Sequence, residues 1–238
     1  MAEAATIPNE AEVRARWGAF AWTDENVRKA NEVLGRYPAG REQSASIPLL
    51  DLAQRQVGAE TQTQGWLPVP VIEFVARQIG VPYMRVFEVA TFYTMFNLAP
   101  VGRYHVQVCG TTPCLLAGSD DVLAACENHG LMKGRTTPDG LFTLTEVECL
   151  GTCANAPMVQ INDDNFEDLD YDRTTAVLQA LARGETPTPG STTGRRASAP
   201  AGEPTTLREM VDANHDYRGE WDSVAVPAAV NREAADAR

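Results

Sequence analysis

Four of the five cysteines fall in two close pairs, Cys109-Gly110-Thr111-Thr112-Pro113-Cys114 and Cys149-Leu150-Gly151-Thr152-Cys153. Each pair is spaced so that one loop can aim both sulfurs at a common point. Four thiolates is the ligand count of an iron–sulfur cluster or of a closed zinc site. Spacing alone leaves both open, because C-x-x-x-x-C with C-x-x-x-C is within the range that zinc accepts. Disulfide exchange usually presents C-x-x-C, which neither pair forms. A Rieske centre needs two histidine ligands, and of the three histidines only His105 is near a pair. His105 reads instead as a sheet-surface residue, and Cys126, alone on the apolar face of a predicted helix, as a small buried hydrophobe. Gly110, Thr111, Thr112 and Gly151 are small enough to let backbone N–H groups approach sulfur. The helix after Cys114 is expected to turn its positive end toward the site.

The elements that must position these loops can be read from periodicity. Tyr104 to Val108 alternates as a strand and ends directly on Cys109; Ser119 to His129 is predicted helical, with Val122, Leu123 and Cys126 on one face. Leu141 to Val147 is rich in β-formers and leads into the second pair. A strand–helix–strand unit implies parallel strands with their carboxyl ends at one edge, which gathers both cysteine loops there. Met158 to Asn162 is a third strand, residues around Phe166 to Leu169 a short fourth, and Asp172 to Arg183 a helix with Ala176, Val177, Ala180 and Leu181 inward. This βαβ then ββα order is thioredoxin-like. The acidic run Asp163, Asp164, Glu167, Asp168, Asp170 and Asp172 reads as a solvated turn and helix start.

Upstream, four helical segments form a predicted bundle with antiparallel neighbours. Thr23 caps the first (Val27, Ala30, Val33, Leu34 and Tyr37 apolar), and Ser46 the second (Leu49, Leu50, Ala53 and Val57), which Gly58 is expected to stop. Pro70 lies in the opening turn of the third, and Pro82 opens the fourth, running on to Phe96. Its aromatic run Phe87, Phe92, Tyr93 and Phe96 reads as core or subunit interface rather than a ligand box. The expected division is an N-terminal segment 1–22, a helical bundle 23–98, a thioredoxin-like domain 99–185, and a Pro/Gly/Thr-rich linker and tail 186–238 docked on a partner through Met210, Val211 and Trp221. The fold class is therefore α+β to α/β, with an irregular C-terminal extension.

The chain's 238 residues, 44% hydrophobic, suffice for packed cores. A net charge of −12 argues against nucleic acid, and no window is apolar enough for a membrane span. The N-terminus lacks a secretory or transit pattern, so a peripheral, cytoplasmic protein is expected, in which paired cysteines point to metal or redox chemistry rather than structural disulfides. Neither G-x-G-x-x-G after a strand nor G-x-x-x-x-G-K occurs, so no dinucleotide or nucleotide site is expected.

Three stretches carry a resemblance: Val86 to Phe96, Val108 to Cys114, and Glu146 to Asp164. Together they resemble the thioredoxin-like [2Fe–2S] subunit of bacterial NADH:ubiquinone oxidoreductase, respiratory complex I, over about residues 20–185. Thr152 and Phe166 stand where Ala and Tyr are expected, and the tail is longer than the family core. The resemblance implies that Cys109, Cys114, Cys149 and Cys153 bind one [2Fe–2S] cluster, and that the chain pairs with a flavoprotein subunit holding FMN and NADH among the peripheral-arm subunits. It implies a place on the cytoplasmic side of the inner membrane and single-electron exchange within an NADH dehydrogenase, with no NADH oxidation by the isolated chain. The alternatives are the equivalent subunit of an NAD-linked hydrogenase or formate dehydrogenase, or a zinc-stapled assembly protein.

Overall fold

The computed structural model describes residues 8–195, 197–200 and 206. The chain divides into two compact units, Met1–Gly194 and Arg195–Arg238. Of the second, a turn over 197–198 and a bond from the Arg195 guanidinium Nε to the Ala199 carbonyl at 2.9 Å are described. Met210, Val211 and Trp221, the expected partner contacts of the tail, lie outside the described residues.

The first unit contains a helix that periodicity does not indicate, α1 (Glu10–Trp17). Its signal is local: Asn9 accepts from the Glu12 N–H while the Glu12 side chain accepts from the Asn9 N–H, a capping box. Trp17 is the residue it buries. The expected bundle follows as α2 (Asp24–Gly35), α3 (Ser46–Thr61), α4 (Val69–Gln78) and α5 (Tyr83–Phe92). Leu49, Leu50, Val57, Val71, Val75, Val86 and Ala90 are its fully buried interior. Val27 of α2 is left exposed. Three expectations are corrected. Gly58 does not stop α3; it lies within it because the chain folds back at Thr63–Gly65, where a Cβ on Gly58 would sit 2.8 Å from the Thr63 carbonyl. Ser46 is the first helical residue rather than the cap, its hydroxyl donating to Gln43 O. And α5 ends at Phe92, after which Tyr93 turns extended.

The sheet contains β1 (Tyr104–Cys109), β2 (Arg135–Thr136), β3 (Phe142–Val147), β4 (Val159–Ile161), β5 (Asp164–Glu167) and β6 (Gly190–Ser191), in the order β2-β3-β1-β4-β5-β6. β1 and β3 are parallel, with Cys109 opposite Val147, and β4 and β5 are antiparallel, as the motif order requires. Between β1 and β2 lie α6 (Thr112–Ala117) and α7 (Ser119–Asn128), and between β5 and β6 lies α8 (Tyr171–Ala182). Composition places residues 186–194 in a linker, yet Gly190–Ser191 pairs parallel with β5 and Thr192 bonds to the Glu167 carbonyl. α8 buries Thr174, Val177, Leu178 and Leu181 but leaves Ala176 exposed and Ala180 half-buried, a correction of two of the four expected inward positions.

α7 and α8 cover one face of the sheet, where Val106, Val108, Leu144, Val159 and Ile161 point. His105, Gln107, Thr145 and Gln160, one position out of phase, point to the other face. That face meets the bundle. Arg55 of α3 donates to both carboxylate oxygens of Asp163 at 2.8 and 3.1 Å, the Gln64 N–H to Gly102 O, and the Gly102 N–H to the Thr143 hydroxyl. His105 is therefore buried, not on a solvated surface as expected.

Candidate metal centre

Because β1 and β3 run parallel in register, the chain leaves both at the same sheet edge, and each exit is a cysteine loop. The Gly110 N–H donates to the Val147 carbonyl at 3.0 Å, tying one exit to the other. Cys109 and Cys114 are buried together with Met158, with Leu150 of the second loop and Ala156 packed against them. Cys114 does not precede its helix, as expected, but is the third residue of α6, which brings its sulfur back toward Cys109.

The two thiols sit in different fields. Burial pushes the Cys109 thiol up. Bonds from the Thr111 hydroxyl at 3.2 Å, from the N–H groups of Thr111 and Leu150, and from Cys114 outweigh it, so Cys109 titrates below the ordinary thiol value. As a thiol, Cys109 also reaches the Glu148 carbonyl at 3.6 Å. Burial first, and then the neighbouring Cys109, push Cys114 up to about 11, against a bond from the Met158 N–H. This donor set suits a thiolate-rich centre: the N–H groups of Thr111, Leu150 and Met158 are the kind of bonds that stabilise anionic sulfur. Thr111 is among the small residues that the sequence marks for such an approach; Leu150 and Met158 do not stand out by type, since it is their backbones that donate.

Cys149 and Cys153 are exposed, and Cys153 is near enough to Cys114 to raise its titration. Among the described residues no three His, Cys, Asp or Glu side chains group as ligands of one ion. A binuclear cluster asks for something else, two thiolates on each of two irons, so two separate pairs at one edge match its demand. Cys126 is fully buried on α7 within the apolar core, and burial pushes its thiol up to about 12, as suits a hydrophobe and not a ligand.

Beside the second loop lies a cavity of about 850 Å³ between α3, the segment after α5 and the polar face of the sheet. Cys149, Leu150, Met95, Gln54, Arg55 and His105 are among its lining residues. His105 is held there neutral, pushed down to about 4 by burial, with Nε2 2.9 Å from the Thr145 hydroxyl. The acidic run is built into the fold: Asp163 pairs with Arg55, Glu167 accepts from Asn155, Asp168 accepts from Ser191, and Asp170 caps α8.

Residues 30–182 match the family described as thioredoxin-like [2Fe–2S] ferredoxin. A subunit of the NADH-quinone oxidoreductase of Rickettsia conorii is 53% identical over 163 residues, 68% of this chain and 94% of that protein. The mitochondrial NADH dehydrogenase (ubiquinone) flavoprotein 2 of Dictyostelium discoideum is 46% identical over 194 residues, 81% of this chain and 76% of that protein. In a crystal structure of an NAD+-reducing [NiFe]-hydrogenase, one chain is 21% identical with a TM-score of 0.46, covering 56% of this chain and 23% of that one.

Proposed function

The chain belongs to the thioredoxin-like [2Fe–2S] ferredoxin family, and from that premise we propose that Cys109, Cys114, Cys149 and Cys153 hold its cluster and exchange single electrons with the FMN of a neighbouring flavoprotein subunit. It is an iron–sulfur subunit of an NADH-quinone oxidoreductase, respiratory complex I, an oxidoreductase assembly associated with a membrane. No helix among the described residues is long and apolar enough to cross a membrane; the proposed place is the peripheral arm on the cytoplasmic side. The relatives at 46% and 53% identity carry the quinone-linked name, which favours that assembly over a hydrogenase or formate dehydrogenase.

The observation that carries the ligand assignment is the parallel register of β1 and β3, with Cys109 opposite Val147, which sets both cysteine loops at one edge. A bound [2Fe–2S] cluster supplies one-electron chemistry, at about −400 mV for plant-type all-cysteine examples. The chain's own part is to keep Cys109 and Cys114 from water, which by itself favours thiol, and to aim the N–H groups of Thr111, Leu150 and Met158 at sulfur, bonds that favour thiolate against that burial. The hydride site belongs to the partner.

Iron and acid-labile sulfide analysis of the anaerobically purified chain tests this. Near-equal iron and sulfide, with a paramagnetic signal appearing on reduction and no NADH oxidation by the chain alone, is the expected result. Zinc without sulfide would instead make it a stapled assembly protein.

A further inference from the structure

The loop after α5 is tied to α3 by hydrogen bonds while presenting apolar side chains to solvent. Gln54, buried in α3, donates to the Met95 carbonyl at 3.1 Å and accepts from the Asn97 N–H at 2.7 Å, and the Asn97 side chain donates to Gly65 O. Phe96 is anchored inward. Yet Phe92 is 78% exposed, and Tyr93, Met95 and Leu98 are exposed beside it, with the Phe92 and Tyr93 rings edge to face at 5.1 Å. A single exposed apolar residue needs no explanation; four within seven residues on a locked backbone is what a docking surface requires, since the ordering cost of association is already met.

This strip is continuous with the candidate centre. Met95 lines the same cavity as Cys149 and Leu150, and Leu150 packs on Cys109 and Cys114. After Cys114, α6 likewise exposes Leu115 and Leu116, the latter 82% exposed. Charge indicates what covers it. Arg55 is taken up by Asp51 and Asp163, and Lys133 by Glu146. Glu148, exposed on the cavity wall, makes no ion pair among the described residues. With a formal charge of −12, a second copy would bring like charges together.

We propose that Phe92, Tyr93, Met95 and Leu98, with Leu115 and Leu116, form the docking surface for a different protein chain that offers apolar side chains at its centre and Lys or Arg opposite Glu148. This rests on the reading of the chain as an electron-transfer subunit, for such a partner would cover the exposed loops of Cys149 and Cys153. The test uses the full chain in its assembly: the double variant Phe92→Ser/Met95→Ser, Glu148→Lys, and Val27→Ser as an exposed apolar control on α2, each scored by co-purification at low and high salt. The double variant is expected to lower retention by about ten-fold or more. Glu148→Lys should lower it most at low salt, and the control should match wild type. Wild-type retention of both test variants overturns the proposal, as does dimerisation of the free chain through these residues. Hydrogen exchange on the wild type provides a reading that no folding defect can mimic: residues 92–98 gain protection on assembly, or the proposal fails. Iron and sulfide measured on the same samples judge the cluster separately, since their absence in wild type would sink the ligand assignment and leave the docking result standing.

Discussion

Replacing Gln54 with leucine keeps the volume of a buried side chain and removes two bonds, to the Met95 carbonyl and from the Asn97 N–H. Left dry, each orphaned backbone group would cost about 1–3 kcal/mol, but a net hydrogen bond whose partners can return to water is worth only about 0.5–1.5 kcal/mol. Gln54, Met95 and Asn97 all line the cavity of about 850 Å³, which has room for water, so the second regime applies. The expected loss is about 1–3 kcal/mol, or a fall in Tm of about 2–12 °C for a chain of this size. Exchange of the Asn97 amide should accelerate by about 5- to 150-fold, while amides in the sheet core change little. The assay is hydrogen exchange resolved at 93–98, together with thermal melting followed by circular dichroism with the cluster intact. An Asn97 amide as protected as in wild type, or a Tm within about 1 °C of it, would refute the claim that Gln54 locks this loop.

Cys149→Ser should lower iron and sulfide per chain, whereas Cys126→Ser should retain both and cost about 1–3 kcal/mol of stability for a hydroxyl in a dry apolar core; iron lost only from the second variant would contradict the ligand assignment. His105 titrates near 4 when folded and near 6.5 when unfolded, so the unfolded state binds the extra proton between these values. Stability should therefore fall as pH drops through that window, by about 3 kcal/mol at pH 4, and His105→Gln should flatten the dependence in denaturant melts. Asp163 is held below the ordinary carboxylate value by the Arg55 guanidinium, so its contribution is present above pH 3.8 and lost as pH falls through its lower folded value. Arg55→Met should remove that acid sensitivity yet cost only about 0.5–1 kcal/mol at pH 7, because the pair is largely exposed; an equally steep acid limb in the variant would show that Asp163 is not its source.

The alternating apolar positions of β1, β3 and β4, the four helices of the bundle with the Thr23 cap of α2, and the two cysteine loops were legible in the sequence because each depends on residues a few positions apart. Periodicity also sufficed to set β1 and β3 parallel, and so to bring the loops of Cys109, Cys114, Cys149 and Cys153 to one edge. α1 escaped because its signal is a capping box at Asn9 and Glu12 with only Trp17 deeply buried, too few apolar positions to show a period. β6 escaped because Gly190 and Ser191 have no strand preference and pair only because β5 offers a free edge.

Residue types and spacing determined which side chains could be ligands and which strand ends carry them. What only the tertiary structure decided is the surroundings of those atoms: which thiol is lowered and which raised, that His105 is buried and neutral, that Gly58 admits Thr63 rather than ending a helix, and that Phe92 faces solvent while Phe96 does not. Local sequence sets local conformation. The field and exposure at an atom are set by whatever packs against it: for His105 that is α3, more than forty residues earlier in the chain, on the second face of the sheet, and for the thiols it is the facing cysteine loop.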